Sequence, residues 1–404
     1  LKRIFRDAGV MTLFFLASFA YPIIYNAMYY PNVLREVPVA VVDMDASTDS
    51  RDFIHKWDAT SEVQVAYACQ SMAEAEQLLK QQKIHAILYI PSGYAKTIAE
   101  GFETARLSLY CDMSSFLYMK NAYISANMVT LDLMNRVQVD RYQAMNMDET
   151  FAWSLVQGAP YESVTLFNPS TGYGSYLIPA VLVLIVHQTL FFGIGMLCGT
   201  AREENKEIFM LPGKRRRYSA FRLLLGRGAA YFVIYFAIAA YCLLLIPMLF
   251  DLPHVGNVWD LLRFFVPFLL ATIYFSIFIG SFQKERESAM VTSLFSSLIF
   301  LFISGAVWPH ENMSKIWVAL SHLFPSTWAI NGYVHIQSMG ATLQTTYRDY
   351  YALWILAVFY FALCTISYIY RATKHDAAAR KESIANRRRI RVASENIKRK
   401  YEEK

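Results

Sequence analysis

Charge is scarce in this sequence. Of 404 residues only 17% are Asp, Glu, Lys or Arg, whereas 55% are hydrophobic and 15% aromatic. Soluble domains carry about 25% charged residues, so the shortage excludes an ordinary soluble domain and indicates a polytopic membrane protein. Cysteine is sparse as well. Cys69, Cys111, Cys198, Cys242 and Cys364 form no CxxC or Cys/His spacing, which excludes a zinc or redox motif. Catalytic signatures are missing. There is no GxSxG, no HExxH and no GxxxxGK[ST], and the run Pro212, Gly213, Lys214, Arg215 lacks both the first glycine and the hydroxyl that a P-loop uses. No catalytic residue, metal site or cofactor is therefore expected on this chain.

The formal net charge of +6 is not a nucleic-acid signal, because it is partitioned. Residues 31–170 hold 10 basic against 17 acidic residues, while 8 Lys or Arg fall in 200–227, 12 in 371–404 and none in 228–262. Such partitioning is the mark of basic segments kept on the inner side of a membrane.

Long uncharged runs are what the sequence does have. Lys2, Arg3 and Arg6 precede the first, residues 8–33, which exceeds the ~7–15-residue apolar core of a signal peptide and reads as a retained helix. The opening residue is Leu1, so a native start is expected upstream. Further crossings are predicted over 173–199, 228–250, 264–282, 288–310 and 350–370. Six crossings place both termini inside. The stretch 311–349, with Trp317 and Trp328, reads as an outer-leaflet or re-entrant segment beside Trp308. The fold class is thus a polytopic α-helical membrane protein of six transmembrane helices with an inserted extracytoplasmic α/β domain.

That domain is expected over 35–170. Apolar runs at 37–45, 63–68, 85–90 and 106–112 read as strands, alternating with helices at 50–58, 72–82 and 94–100. A long helix is predicted from 115 to 147. Mainly parallel pairing is expected, and in a sheet ordered 2-1-3-4 Cys69 and Cys111 would stand too far apart for a disulfide. Asp43, Asp45 and Asp49 lack the EF-hand glycine and terminal glutamate, so turn and capping roles are expected. The whole divides into residues 1–34, the first helix; 35–170, the external domain; 171–371, the remaining five helices with the inner loop 200–227; and 372–404, a basic tail suited to a lipid surface.

Two sets of residues stand out for function. The first half of loop 200–227, which includes Arg202, reads as a short amphipathic helix, with Glu203, Glu204 and Glu207 toward water and Ile208, Phe209 and Leu211 toward the membrane or a bundle. With the tight inner turn carrying Lys284, Glu285 and Arg286, it is a surface on which a soluble motor could push. The second set comprises Tyr176, His187, Gln188, Ser296, Ser297 and Asn331, small polar or aromatic groups able to line a path. Mid-membrane His187 and Gln188 belong either to such a path or to an interhelical hydrogen bond, the latter being preferred. Gly195 and Gly199 form a GxxxG.

Several blocks occur in order: VPVAVVDMDAS, AILYIPSGYAKTIAEG, VTLFNPSTGYGSYLIPAVLVLIVHQTLFFGIGMLCGTAREE and FISGAVWPHENM followed by LFPSTWAINGYVHIQSMGA. Together they resemble the permease subunits of type-two ABC exporters, in the branch with a large external domain between the first two membrane helices. The resemblance spans about residues 1–371. Arg202, Glu203 and Glu204 match the family's inner loop, but Asn205 and Lys206 stand where Gly-Thr is usual, and Met313-Ser314 replaces Met-Pro. The resemblance implies an inner-membrane permease of bacteria, paired with itself or with a second permease. ATP and Mg would be held by a separate cytoplasmic ATPase, and an envelope-spanning periplasmic adaptor is a further partner left open. The expected function is export of a lipophilic or amphipathic cargo. The alternative is a non-transporting receptor or adaptor that presents residues 35–170 to an external partner.

Overall fold

The computed structural model describes residues 4–30, 32–100, 105–159, 164–204, 216–371 and 373. Two compact units result: residues 31–165 form one, and residues 1–30 with 166–404 form the other.

The smaller unit is an α/β layer. Its strands β1 (Val37–Asp43), β2 (Val63–Ala68), β3 (Ala86–Ile90) and β4 (Ser108–Cys111) form a sheet ordered β2-β1-β3-β4. β1 pairs parallel with β2 and β3, and β4 closes the edge antiparallel to β3. β1 is central and covered on both faces, which is why VPVAVV reads as a continuous apolar run rather than an alternation. Val37, Val39 and Val41 pack against Phe53 and Trp57 of α2 (Thr48–Asp58) and Ala122 and Ala126 of α5 (Phe116–Ala144). Ala40 and Val42 face Ala75 of α3 (Met72–Lys80). Buried Trp57 donates its indole N–H to Ser125 Oγ at 2.9 Å. Asp43 accepts from the N–H of Asp45 and Ala46 and from Ser50 Oγ. Asp45 accepts from the N–H of Gly93 and Ala95 at the start of α4 (Tyr94–Glu100). These acids shape turns and helix starts, as their spacing suggests. Cys69 and Cys111 are free and stand on opposite sides of the sheet, beyond β2 and on β4. Helix α6 (Glu149–Val156) follows α5.

Among its described residues the larger unit holds six helices long and apolar enough to cross a membrane: α1 (Ala8–Met28), α7 (Tyr173–Glu203), α8 (Ala220–Leu249), α9 (Val258–Gly280), α10 (Arg286–Ile303) and α13 (Tyr347–Arg371). Two shorter helices, α11 (Lys315–Ser321) and α12 (Pro325–Gln337), lie between α10 and α13. α7 is the centre, 78% of its most apolar window being buried, and α9 is next at 67%. Only 22% of the corresponding residues of α10 and 28% of those of α1 are buried, so these two helices lie at the periphery of the unit. Two stretches, Thr12–Ala17 in α1 and Tyr241–Leu245 in α8, widen to π-helical hydrogen bonding. Such turns leave carbonyls free for outside donors. Just past the first, Ser18 O accepts from Cys242 Sγ and Phe19 O from the Tyr241 hydroxyl, so the two irregular segments hold each other.

The Gly195/Gly199 pair is asymmetric. A Cβ on Gly199 would stand 2.7 Å from the Glu285 carbonyl oxygen and 2.8 Å from Arg286 Cα, whereas one on Gly195 would meet Ala289 Cβ at an ordinary 3.6 Å. Backbone cannot step aside as a side chain can, so Gly199→Ala should push the start of α10 off α7. We expect a destabilisation of about 1–3 kcal/mol for Gly199→Ala and little change for Gly195→Ala, read as the melting temperature of the purified chain in detergent.

Candidate functional site

Helix ends from distant parts of the chain meet in one hydrogen-bond network. Asp7 precedes the first apolar run, and its carboxylate caps α1 by accepting from the N–H of Gly9 at 3.1 Å and Val10 at 3.2 Å. The same carboxylate receives both terminal nitrogens of Arg286, at 2.6 and 2.7 Å, in a bidentate pair. Such forked pairs are stronger than single neutral hydrogen bonds. Arg286 also donates to Thr200 Oγ1 at 3.2 Å, and its backbone N–H donates to Glu203 Oε1 at 2.8 Å. One residue at the start of α10 thereby joins α1 and the last turn of α7.

The sites of charge follow helix polarity. Carboxylates stand at helix starts: Asp7 at α1, with Glu203 and the capping residue Glu285 at α10. Guanidinium groups stand at the end of α9. Arg202 donates to Ser281 O at 2.9 Å and Gln283 O at 3.2 Å, and Arg371 from the end of α13 donates to Ser281 O as well. Unsatisfied N–H groups at helix starts attract anions and unsatisfied carbonyls at helix ends attract cations, so each bond here also gains from the helix dipole. α8 joins through Arg227, which donates to the Tyr368 hydroxyl and to Cys198 Sγ. Arg227 thus turns into the bundle rather than serving only as a surface anchor. The Arg286 guanidinium holds the Asp7 carboxyl below its usual range, with help from the Val10 and Gly9 N–H groups and against the effect of burial.

Of the residues expected to couple, Arg202, Glu203, Glu285 and Arg286 are brought together here, while Glu204 and Lys284 are exposed beside them. Glu207, Ile208 and Phe209 lie outside the described residues. One expectation needs correcting. Arg202 and Glu203 do not open a separate amphipathic helix; they are the final residues of α7 itself, because the uncharged run continues helical into its first charges. Asp7, Thr200, Ser281 and Arg371 were not singled out by the sequence. Asp7 carried a signal, an N-cap acid before an apolar run, but nothing in the sequence signalled its pairing with Arg286, 279 positions away.

The residues expected to line a path are dispersed. At the other end of α7, Tyr176 donates to Ala306 O at 2.6 Å. Ser296 and Ser297 donate back to the carbonyls of Ser293 and Leu294 within α10. Asn331 is half-buried on α12, and Gln188 is half-buried on α7. His187 is fully enclosed by its own chain, its ring 5.2 Å from that of Phe300 and 6.0 Å from that of Phe275. The preferred interhelical hydrogen bond is not formed: neither His187 nitrogen has a partner among the described residues.

The family profile described as ABC-2 family transporter protein matches residues 9–366. No curated protein matches the chain.

This network is a latch between helix ends, and its Asp7–Arg286 pair has a definite pH signature. A carboxyl whose folded value lies below its usual 3.8 stabilises the fold above that value and ceases to do so as pH falls through the lowered one. Asp7→Asn should cost about 1–2 kcal/mol near neutral pH, the range for a charge-assisted hydrogen bond partly screened by solvent. The gap in melting temperature between wild type and Asp7→Asn should then close as pH drops below 3.8. A gap that stays constant across that range would show that the ionised Asp7 carboxylate adds nothing to stability.

Proposed function

Because the chain belongs to the ABC-2 family of transporter proteins, we propose that it is the permease subunit of an ATP-driven exporter. Its cargo is lipophilic or amphipathic, and it works in the inner membrane of a bacterium with both termini in the cytoplasm. Residues 35–165 then stand outside. Hydrolysis of ATP belongs to a separate cytoplasmic ATPase, which also holds the Mg, and the permease pairs with itself or with a second permease.

One observation carries the mechanism. Both connections between successive helices at the latch end, α7 to α8 and α9 to α10, start or finish in the network of Asp7, Thr200, Arg202, Glu203 and Arg286. A motor pressing on either connection moves α7, α9 and α10 together, since no one of these helix ends can shift without breaking charged contacts of the others. α7 and α9 are the most buried helices, so displacement there is passed to the core rather than lost to lipid. Exposed Glu204, one residue past α7, and Phe209 are the groups placed in sequence to meet the ATPase.

Glu204→Lys and Phe209→Ala should each weaken ATPase association. Loss of one partner of a partly buried charged contact at an interface costs about 2–5 kcal/mol, roughly tens- to thousands-fold in affinity. Arg217→Ala should have little effect. The measurement is the yield of ATPase co-purifying with each variant, after checks of expression and membrane insertion. Wild-type yields for both Glu204→Lys and Phe209→Ala would remove loop 200–227 as the docking surface. Absence of any co-purifying ATPase with the wild-type chain would favour the receptor or adaptor alternative.

A further inference from the structure

α12 begins inside the bundle. It runs antiparallel to α9, with Gly332 set against Phe264 and the Gln337 carbonyl accepting from the N–H of Val255 and Gly256, just before α9 starts. From that level its 13 residues reach about 20 Å toward the latch end. That is roughly two thirds of a hydrocarbon layer about 30 Å thick. The residue that precedes it, Phe324, accordingly packs on Phe275 at 6.0 Å and Phe300 at 4.8 Å.

This buried helix start is poorly satisfied. Phe324 offers no side chain to cap it, and Pro325 occupies the first turn. Ser326 and Thr327, in that same turn, are fully buried, and their hydroxyls have no partner among the described residues. A separate element supplies a further orphan. His187 of α7 is fully buried with both ring nitrogens unpartnered, and it packs on Phe275 and Phe300, the two rings that also hold Phe324. Thr272, one turn before Phe275 on α9, is likewise buried and unpartnered. Buried polar groups in folded proteins nearly always have partners, so a cluster of orphans from three helices calls for an occupant. No Asp, Glu, Lys or Arg occurs in 173–201, 264–282, 288–310 or 325–337, so no side-chain charge from these segments can serve.

The side chains on offer can all donate, hydroxyls and an imidazole N–H, and they stand at the positive end of a helix dipole. Broken membrane helices use such starts to hold anionic groups of their substrates. We propose that the start of α12, with Ser326, Thr327 and His187, binds the oxyanion head of an amphipathic molecule, a carboxylate or phosphate group whose alkyl part lies among Phe275, Phe300 and Phe324. That this molecule is the cargo rests on the exporter reading; that the site binds an oxyanion does not.

The test uses the full chain in detergent without any ATPase, so a failure of ATP-driven export would count against the exporter reading and leave the binding result standing. Radiolabelled dodecyl phosphate is titrated by scintillation proximity, with dodecanol and inorganic phosphate as competitors. Saturable binding is expected, displaced by excess dodecyl phosphate and not by dodecanol. Ser326→Ala, Thr327→Val and His187→Phe should each weaken it about tenfold, as loss of one hydrogen bond to a charged group would. Ser326→Thr, which keeps the hydroxyl, should retain it. Displacement by dodecanol as effective as by dodecyl phosphate, or wild-type affinity in monodisperse Ser326→Ala and Thr327→Val, would overturn the proposal. Inorganic phosphate competing as strongly as dodecyl phosphate would overturn the amphipathic assignment and leave a site for a free anion. Should His187→Phe fail to fold, the two α12 substitutions and Ser326→Thr decide the matter alone.

Discussion

A helix that ends in or near hydrocarbon leaves N–H or carbonyl groups that water cannot reach, and each must find a partner in the protein. At the latch end the chain meets this requirement with side chains borrowed from other helices. Asp7 caps its own helix and holds Arg286; Glu203 of α7 serves the start of α10; Arg202 and Arg371 serve the end of α9. Satisfying the helix ends and joining the helices are therefore the same set of bonds. The close approach of α7 to α10 at Gly199 is what brings Glu203 within reach of the Arg286 N–H.

The contrast with α12 follows from the same constraint. At the latch end every helix terminus named above has a charged or backbone partner. At the start of α12 the chain supplies hydroxyls and an imidazole but no counter-charge, in a layer otherwise built of phenylalanine. One region is closed by its own charges and suited to carrying force. The other is left short of acceptors and suited to receiving a group that brings them.

Much of the fold was legible because periodicity reports burial. The uncharged runs marked six spanning helices, and the doubly covered β1 announced itself as an unbroken apolar strand, as did the order of the sheet through its alternating elements. Boundaries were less legible. α7 extends past the uncharged run to Glu203 because a helix ends where its last carbonyls find partners, not where charge first appears. α12 was foreseen only as part of an outer-leaflet or re-entrant stretch, since 13 residues with polar Ser326, Thr327, Asn331 and Gln337 give no spanning signal. Of the site, half was visible. Arg202, Glu203 and Arg286 drew notice as charges beside apolar runs, but pairing with Asp7 and Arg371 joins distant parts of the chain. One sequence holds no trace of such pairing. His187 was noticed for its position and assigned the wrong comfort, a hydrogen bond that its phenylalanine neighbours cannot give.

The central claim is that Asp7 and Arg286 act as one unit through which movement enters the bundle. A double-mutant cycle on ATP hydrolysis by the assembled permease–ATPase complex tests it most directly, using Asp7→Asn, Arg286→Gln and the pair combined. If the two act as a unit, each single variant should uncouple hydrolysis from the permease nearly as much as the double variant does. Losses that multiply independently in the double variant, or single variants with wild-type stimulation, would contradict the account.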